Sequence, residues 1–421
     1  MDYALIGYPL KQSFARENQD LIASYLHHPY PFKLFEVKEE DFDSFMKKKE
    51  FKGINVTIPY KEKIIPYLDW ISPAVKEIQA CNLVINDNGK LKGYNVDYHG
   101  LKSSILFHGI NIKGKDCLIL GTGGTSKTAE YVLKSLQARS IVKVSHSGKS
   151  GSLSYQDLKK EGKRFQVIIN TTPIGMYPHN EQSLINFFYF PNVEAVVDVI
   201  YNPLRTILIS EAKQRGIKYA TGLYMLVSQG IKTYELFTGE QVSENIVPSI
   251  IRDLEIQKEN IILIGMPQAG KTSLAKRIAS ISDFKFIDTD EEIEKFLNMK
   301  IKDYFLDHSI AEFRAVEEQV ISKISLNTHH VIAVGSGAVL RDRNISRLKQ
   351  NGVIFFVDRP LSVLKPNLDK PNTDNMKKIE QLYQERYHLY LSYADFHITG
   401  NQNELDDANR ILKSYPSSII L

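Results

Sequence analysis

The sequence predicts an α/β protein of about three folding units built on parallel sheets. Three observations carry that expectation. Short β-branched and aromatic runs alternate with longer helix-like stretches, the pattern of strand–helix–strand units. Twice, an apolar strand candidate runs into a glycine-rich turn and then a helix, at residues 121–126 and 265–272. The 421 residues, at ~150 per domain, suffice for several cores without metal or disulfide support.

In order, the first strand candidates are Tyr3–Ile6, Phe32–Val37 and Ile54–Ile58. A hairpin follows, Leu83–Asn86 and Lys90–Asn95, joined at Asp87-Asn88-Gly89, where Asn-Gly supplies the positive φ of the turn. A second unit opens with strand Asp116–Leu120 and a helix to about Gln137, then strands Ile141–Ser145, Val167–Asn170 and Val196–Val199. Leu223–Phe237 and Glu244–Leu254 read as helices. The polar stretch Gln257-Lys258-Glu259-Asn260 reads as a domain boundary before a fresh strand, Ile261–Ile264. Further strands are expected at Phe284–Ile287, Val331–Val334, Val353–Val357 and Phe396–Ile398. The run Phe187-Phe188-Tyr189-Phe190 suggests a packed loop or an interface.

Lysine and arginine total 53 against 49 acids, a formal charge of +4 with no long basic block. Binding along nucleic acid or an acidic membrane surface is not expected. Two cysteines, Cys81 and Cys117, exclude a disulfide scaffold and CxxC zinc sites. No apolar run approaches the ~20 residues of a membrane span. The start, Met1-Asp2-Tyr3-Ala4-Leu5-Ile6-Gly7, lacks a signal-peptide pattern. A soluble cytoplasmic protein of two or three α/β domains is the expectation, with a composition typical of metabolic enzymes and equally of binding proteins.

Gly265-Met266-Pro267-Gln268-Ala269-Gly270-Lys271-Thr272 fits G-x4-G-K-[ST], follows an apolar strand and leads into a helix from Ser273. Its glycines let backbone N–H groups approach phosphate oxygens, and the helix N-terminus adds a favourable dipole. Lys271 would reach the β- and γ-phosphates of ATP, and Thr272 would ligate Mg²⁺. Downstream, Asp288 and Asp290 end the next strand, and strand alternation places both on one side. Alone, Asp-x-Asp is often a helix N-cap. Then come Phe313-Arg314-Ala315-Val316-Glu317, Gly335-Ser336-Gly337 and Arg386.

Together and in this order, these motifs resemble shikimate kinase, over about residues 258–400. The resemblance implies that Gly265, Gln268, Ala269, Gly270, Lys271, Thr272 and Ser273 bind ATP, with Lys271 catalytic. It implies that Asp288, with Thr272, supports Mg²⁺, and that Asp290 hydrogen-bonds the diol of shikimate. Arg314 and Arg386 would clamp the carboxylate, and Gly335, Ser336 and Gly337 would line the ring pocket. A planar guanidinium suits a carboxylate, and phosphoryl transfer needs charge neutralisation and in-line placement. The family's Gly-Gly-Gly is Gly-Ser-Gly here, and the lid arginine is replaced by Lys370, which keeps charge but loses the fork.

Gly121-Thr122-Gly123-Gly124-Thr125-Ser126 follows strand Asp116–Leu120 and begins a helix, a Rossmann-like arrangement. An NAD site expects an acid at the end of the next strand. Here that strand ends Ser145-His146-Ser147, with no acid and with Lys149 nearby, which favours the 2′-phosphate of NADP. The flanking segments are Asn55-Val56-Thr57-Ile58-Pro59-Tyr60-Lys61, Ala80-Cys81-Asn82 and Gly93-Tyr94-Asn95-Val96-Asp97. Later come Asn170-Thr171-Thr172-Pro173-Ile174-Gly175-Met176, Asp198–Pro203 and Gly222–Gln229.

This series resembles shikimate dehydrogenase over about residues 1–250. The resemblance implies a catalytic pair, Lys61 and Asp97: a cationic lysine can donate to the alkoxide that develops as a ketone is reduced. Read blandly, Lys61 is an exposed lysine and Asp97 an N-cap. Ser13, Thr57, Asn82, Tyr201 and Gln229 would hold the substrate. Gly121, Gly123, Gly124, Thr125, Ser145, His146, Ser147, Asn170, Thr171, Met176 and Gly222 would face NADP(H). Two departures stand out: Ala15 replaces the second serine of the first loop, and His146 replaces the usual 2′-phosphate arginine.

The resulting expectation is a bifunctional enzyme with a substrate domain at 1–100, onto which 230–255 packs back, a Rossmann-like domain at 101–229 and a phosphate-loop kinase domain at 258–421. It would reduce 3-dehydroshikimate to shikimate with NADPH and phosphorylate shikimate with MgATP. Quinate, or another polyol acid, is the alternative substrate, and a non-catalytic half the alternative role.

Overall fold

A computed structural model describes residues 1–10, 14–28, 30–145, 152–364, 379–400 and 403–415. The chain divides into two compact units, Met1–Leu254 and Glu255–Leu421.

The first unit holds two six-stranded sheets. One contains β1 (Tyr3–Gly7), β2 (Phe32–Glu36), β3 (Gly53–Val56), β4 (Trp70–Ile71), β5 (Leu83–Asp87) and β6 (Lys90–Tyr94), in the order β2-β1-β3-β5-β6-β4. The β5–β6 hairpin turns at Asn88 and Gly89, with φ of +50° and +86°, as its Asn-Gly pair demands. The other contains β7 (Asp116–Leu120), β8 (Ser140–Ser145), β9 (Leu153–Ser154), β10 (Val167–Asn170), β11 (Ala195–Asp198) and β12 (Lys218–Ala220). Its order is β12-β11-β10-β7-β8-β9, and every pair is parallel. Strands β10 and β11 are buried along their whole length, which explains their unbroken apolar reading. β4, β9 and β12 are absent from the sequence expectation, since strands of two or three residues carry no period to read.

Two helices, Asp97–Phe107 and Gly222–Thr238, pack on each other within this unit. The second reaches the first sheet, where the Phe237 ring stacks 4.6 Å from that of Tyr3. Asn55 of β3 donates to Thr233 Oγ1 of the same helix at 3.2 Å. In the aromatic run, Phe187 and Phe190 are buried whereas Phe188 is exposed, so the loop is packed by only some of its rings.

The second unit is one parallel sheet of β13 (Asn260–Ile264), β14 (Lys285–Asp288), β15 (His330–Ala333), β16 (Gly352–Asp358) and β17 (Phe396–Thr399). The order is β14-β15-β13-β16-β17. The two units divide between Leu254 and Glu255, a few residues before the polar stretch 257–260. Helix Val247–Lys258 runs into that stretch, and Glu259 and Asn260 are buried. Asn260 is accommodated because Nδ2 donates to Asn327 O at 2.7 Å and Oδ1 accepts from His330 N at 2.9 Å.

In each unit a glycine-rich turn leaves the C-terminal end of an interior strand, β7 or β13, at the crevice where α/β sheets take ligands. No helix among the described residues is long and apolar enough to cross a membrane.

Candidate active sites

A cavity of about 410 Å³ opens in the first unit. Thr57, Lys61, Asn82, Asp97, Tyr201 and Gln229 line it, and Thr125, Met176 and Gly222 join them. Lys61 is held by its neighbours. Tyr60 is fully buried, stacks on Phe42 at 4.2 Å and donates to Val37 O at 2.6 Å. The Lys61 carbonyl accepts from Cys81 N at 2.7 Å. Asp97 opens helix Asp97–Phe107, where the positive helix end favours its charge. Val96, not Asp97, occupies the N-cap position, and no side chain caps it. Lys61 Nζ lies 2.6 Å from Asp97 Oδ2, with the two side chains 20% and 13% exposed. Lys61 is therefore a mostly buried, ion-paired lysine rather than an exposed one.

Asn82 is oriented by its Oδ1, which accepts from Val96 N at 2.7 Å. Gln229 Nε2 donates to Leu226 O at 3.0 Å. Gly100 permits this assembly: a Cβ there would stand 2.4 Å from Met225 O and 3.0 Å from Gln229 Cβ. Its absence lets the helix of Asp97 close on the helix of Gln229.

In the dinucleotide turn, Gly121 adopts φ +106°, and a Cβ would press on Thr171 and Thr172 at 3.0 Å. Around Gly123 and Gly124 a Cβ would meet nothing within 4 Å. That open space at the start of helix Gly124–Ser135 fits the phosphates of a dinucleotide. Gly222 approaches the segment after β11 so closely that a Cβ would meet Val199 O at 2.2 Å. Thr171 Oγ1 donates to Leu120 O at 2.7 Å. Asn170 is buried with both ends engaged: Nδ2 donates to Asp198 Oδ1 and Ile174 O, and Oδ1 accepts from Thr172. It holds the 170–176 loop in shape. Ser145 Oγ lies 2.7 Å from Ser152 Oγ at the acid-free end of β8. Ser13, His146, Ser147 and Lys370 lie outside the described residues.

In the second unit, the loop 265–270 has three residues at positive φ: Gly265 (+150°), Gln268 (+67°) and Gly270 (+82°). Gly265 is required by close approach as well, since its Cβ would meet Val357 O at 2.5 Å. Gln268 holds a conformation that favours glycine, a local strain at the loop. Ala269 is buried and Ser273 exposed. Lys271 Nζ donates to Gly265 O at 3.0 Å and Met266 O at 2.9 Å. Thr272 Oγ1 donates to Asp288 Oδ2 at 2.6 Å, a hydroxyl–carboxylate set of hard oxygens that fits Mg²⁺. Asp290 does not extend the strand as alternation implies. Asp288 caps helix Thr289–Leu297 by accepting from Asp290 N at 2.8 Å, and that helix start brings Asp290 into the site.

There a would-be Cβ of Gly335 lies 3.0 Å from Asp290 Oδ1 and 3.5 Å from Glu317 Oε1, and one at Gly337 would collide with the Arg314 guanidinium. Arg314 Nη1 donates to both oxygens of Glu317, at 2.8 and 2.9 Å. Burial pushes the Glu317 carboxyl up to about 6, against the pull of Arg314. Arg386 Nη1 donates to Ser336 Oγ at 3.3 Å, and Tyr390 Oη to Ser336 O at 2.7 Å.

Three residues of these sites escape sequence reasoning. Gly100 is visible only as a glycine inside a helical pattern. Glu317 stands at the end of the Phe313–Glu317 motif with no role implied for it. Asp198 opens the Asp198–Pro203 segment with no role implied for it. It is fully buried and accepts from Asn170 Nδ2, Ile200 N and Thr206 Oγ1 at 3.0, 3.1 and 2.7 Å. Burial pushes its carboxyl up to about 7.

The fold and the two sites define an oxidoreductase-type unit with a dinucleotide turn, followed by a phosphate-loop kinase unit. Residues 5–84 match the family profile described as the shikimate dehydrogenase substrate binding domain, and residues 267–416 that of shikimate kinase. The shikimate dehydrogenase (NADP(+)) of Clostridium perfringens (strain 13 / Type A) is 34% identical over 267 residues, covering 60% of this chain and 98% of that protein. That of Methanococcus maripaludis is 34% identical over 275 residues, 61% of this chain and 95% of that protein. Among solved structures, a chorismate mutase/shikimate 5-dehydrogenase fusion protein from Clostridium acetobutylicum is 32% identical, with TM-score 0.57, covering 60% of this chain and 97% of that one. Shikimate 5-dehydrogenase from Thermus thermophilus, in complex with NADP(H) and shikimate, is 26% identical with TM-score 0.55, covering 60% of this chain and 99% of that one. The chain belongs to the shikimate dehydrogenase family and carries a shikimate kinase domain after it.

Proposed function

We propose that the chain catalyses two consecutive reactions: reduction of 3-dehydroshikimate to shikimate with NADPH, then phosphorylation of shikimate to shikimate 3-phosphate with MgATP. The observation that carries this reading is the 2.6 Å Lys61–Asp97 pair in a cavity that also reaches the dinucleotide turn, on one chain with a complete phosphate loop.

In the first site the nicotinamide, when bound, supplies the hydride. Lys61 donates a hydrogen bond to the oxygen on which charge develops, and Asp97 fixes the ammonium. Asn82, Thr57, Gln229 and Tyr201 orient the ring; Ser13 belongs to the same set by resemblance. Gly121, Gly123 and Gly124 admit the cofactor phosphates.

In the second site MgATP supplies the phosphoryl group. Lys271, now on the loop carbonyls, would turn to the phosphates, and Thr272 and Asp288 would hold the metal. Asp290 accepts from the substrate diol. Arg314 and Arg386 face its carboxylate. The product of the first site is the substrate of the second.

Ala15, which lines the cavity, favours a second reading in which the first site takes a quinate-like polyol acid. A coupled assay decides: purified chain with 3-dehydroshikimate, NADPH, ATP and Mg²⁺ should yield the phosphorylated product. NADPH oxidation without phosphorylation removes the kinase half, and faster NADP⁺ reduction with quinate than with shikimate selects the second reading.

A further inference from the structure

We propose that Arg359 is a positioning residue for the phosphate loop, tying it to β16 and to helix Glu404–Ser414 through a buried ion pair with Asp407. The inference rests on the kinase reading of the second unit. Arg359 follows the last residue of β16. Its side chain is 10% exposed and that of Asp407 is 0% exposed, with Arg359 Nη2 3.0 Å from Asp407 Oδ2. Arg359 Nε donates to the carbonyl of Ala269, inside the loop, at 3.4 Å. Gly400, just beyond β17, makes room: a Cβ there would stand 1.4 Å from Arg359 Nη1. That Nη1 is buried and finds no acceptor among the described residues.

The loop needs outside support. Gly265, Gln268 and Gly270 all hold positive φ, so little in its own backbone preference selects this shape. A buried ion pair contributes little net stability compared with an apolar replacement. What it supplies here is geometry, since one planar guanidinium reaches the loop and the helix together. Arg410 Nη1, 3.5 Å from Asp407 Oδ1, is a second charge on the pair. The preceding residue, Asp358, turns elsewhere: its Oδ2 accepts from Tyr387 Oη at 3.1 Å and lies 2.8 Å from His397 Nε2. Arg359 thus reaches the phosphate loop and Asp407, whereas Asp358 reaches Tyr387 and His397.

The test uses the full chain. Arg359→Lys keeps a charge for Asp407 but loses the planar fork. Gly400→Ala keeps the guanidinium but forces it aside. Each should raise the KM for ATP, and the Kd of MgATP by titration calorimetry, about tenfold, the worth of one charge-assisted hydrogen bond. The KM for shikimate should stay within about twofold. If either single variant unfolds, Arg359→Met/Asp407→Leu removes both charges together and should show the same ATP-selective loss. An unchanged Kd for MgATP in folded variants overturns the inference, as does an equal rise in both Michaelis constants. A wild-type chain that binds MgATP without phosphorylating shikimate would count against the kinase reading, while the binding arm still tests Arg359.

Discussion

The two sites treat their charged groups in opposite ways. In the first, Lys61 and Asp97 pair with each other on the wall of a cavity of about 410 Å³, ready for a carbonyl oxygen. In the second, the candidates are committed to protein atoms: Lys271 to two loop carbonyls, Thr272 to Asp288, and Arg314 to Glu317. On the proposed reading, the first arrangement would be preorganised around chemistry on one substrate atom. The second must trade protein contacts for ligand contacts, which suits a reaction dominated by positioning and charge neutralisation.

The largest expected effects separate the two sites. Lys61→Ala should lower the dehydrogenase turnover number by roughly 10²–10⁴-fold, the range for a lost proton-handling group, and leave phosphorylation unchanged. Lys271→Ala should do the reverse. Both rates are read on one preparation, and loss of both in either variant without unfolding would break the two-site comparison.

A smaller effect tests how the first site is built. Gly100→Ala sets a Cβ against Met225 O, and overpacking of this kind costs about 1–3 kcal/mol. The thermal midpoint of the first unit should fall, and the KM for the acid substrate should rise as Asp97 and Gln229 part. An unaltered midpoint would show that the two helices tolerate more separation than their packing implies.

The smallest effect concerns Asp198. Its folded-state value of about 7 stands above the ordinary 3.8. Well below that ordinary value both folded and unfolded chains hold the proton. Between the two values the unfolded chain releases it first, so stability falls as pH rises, and above the folded value this contribution levels off. Asp198→Asn should flatten that slope in melting curves of the first unit. Equal slopes in both proteins would mean that the three hydrogen bonds already hold Asp198 ionised.

Much of this is legible in the sequence for physical reasons. Parallel strands covered on both faces read as unbroken apolar runs, as at Val167–Asn170. Glycines needed at positive φ or in close approach, such as Gly121 and Gly265, punctuate them. The residues that escape act through the third dimension. Asp198 serves two loops distant in sequence, Gly100 serves a helix more than a hundred residues away, and Asn260 looks like a linker until its buried partners are known. Asp290 is found by its spacing, but the helix start rather than strand alternation delivers it.

The paired contacts of Lys271 bear on how a spent nucleotide leaves. On the proposed kinase reading, the ammonium would not face an empty pocket as ADP withdraws, because the carbonyls of Gly265 and Met266 already accept from it in the unliganded loop. The cation would pass from one set of oxygens to another, which would spare the exit barrier the desolvation penalty of an abandoned charge. The loop would thereby carry its own exchange partner in the strand end and turn that hold Lys271.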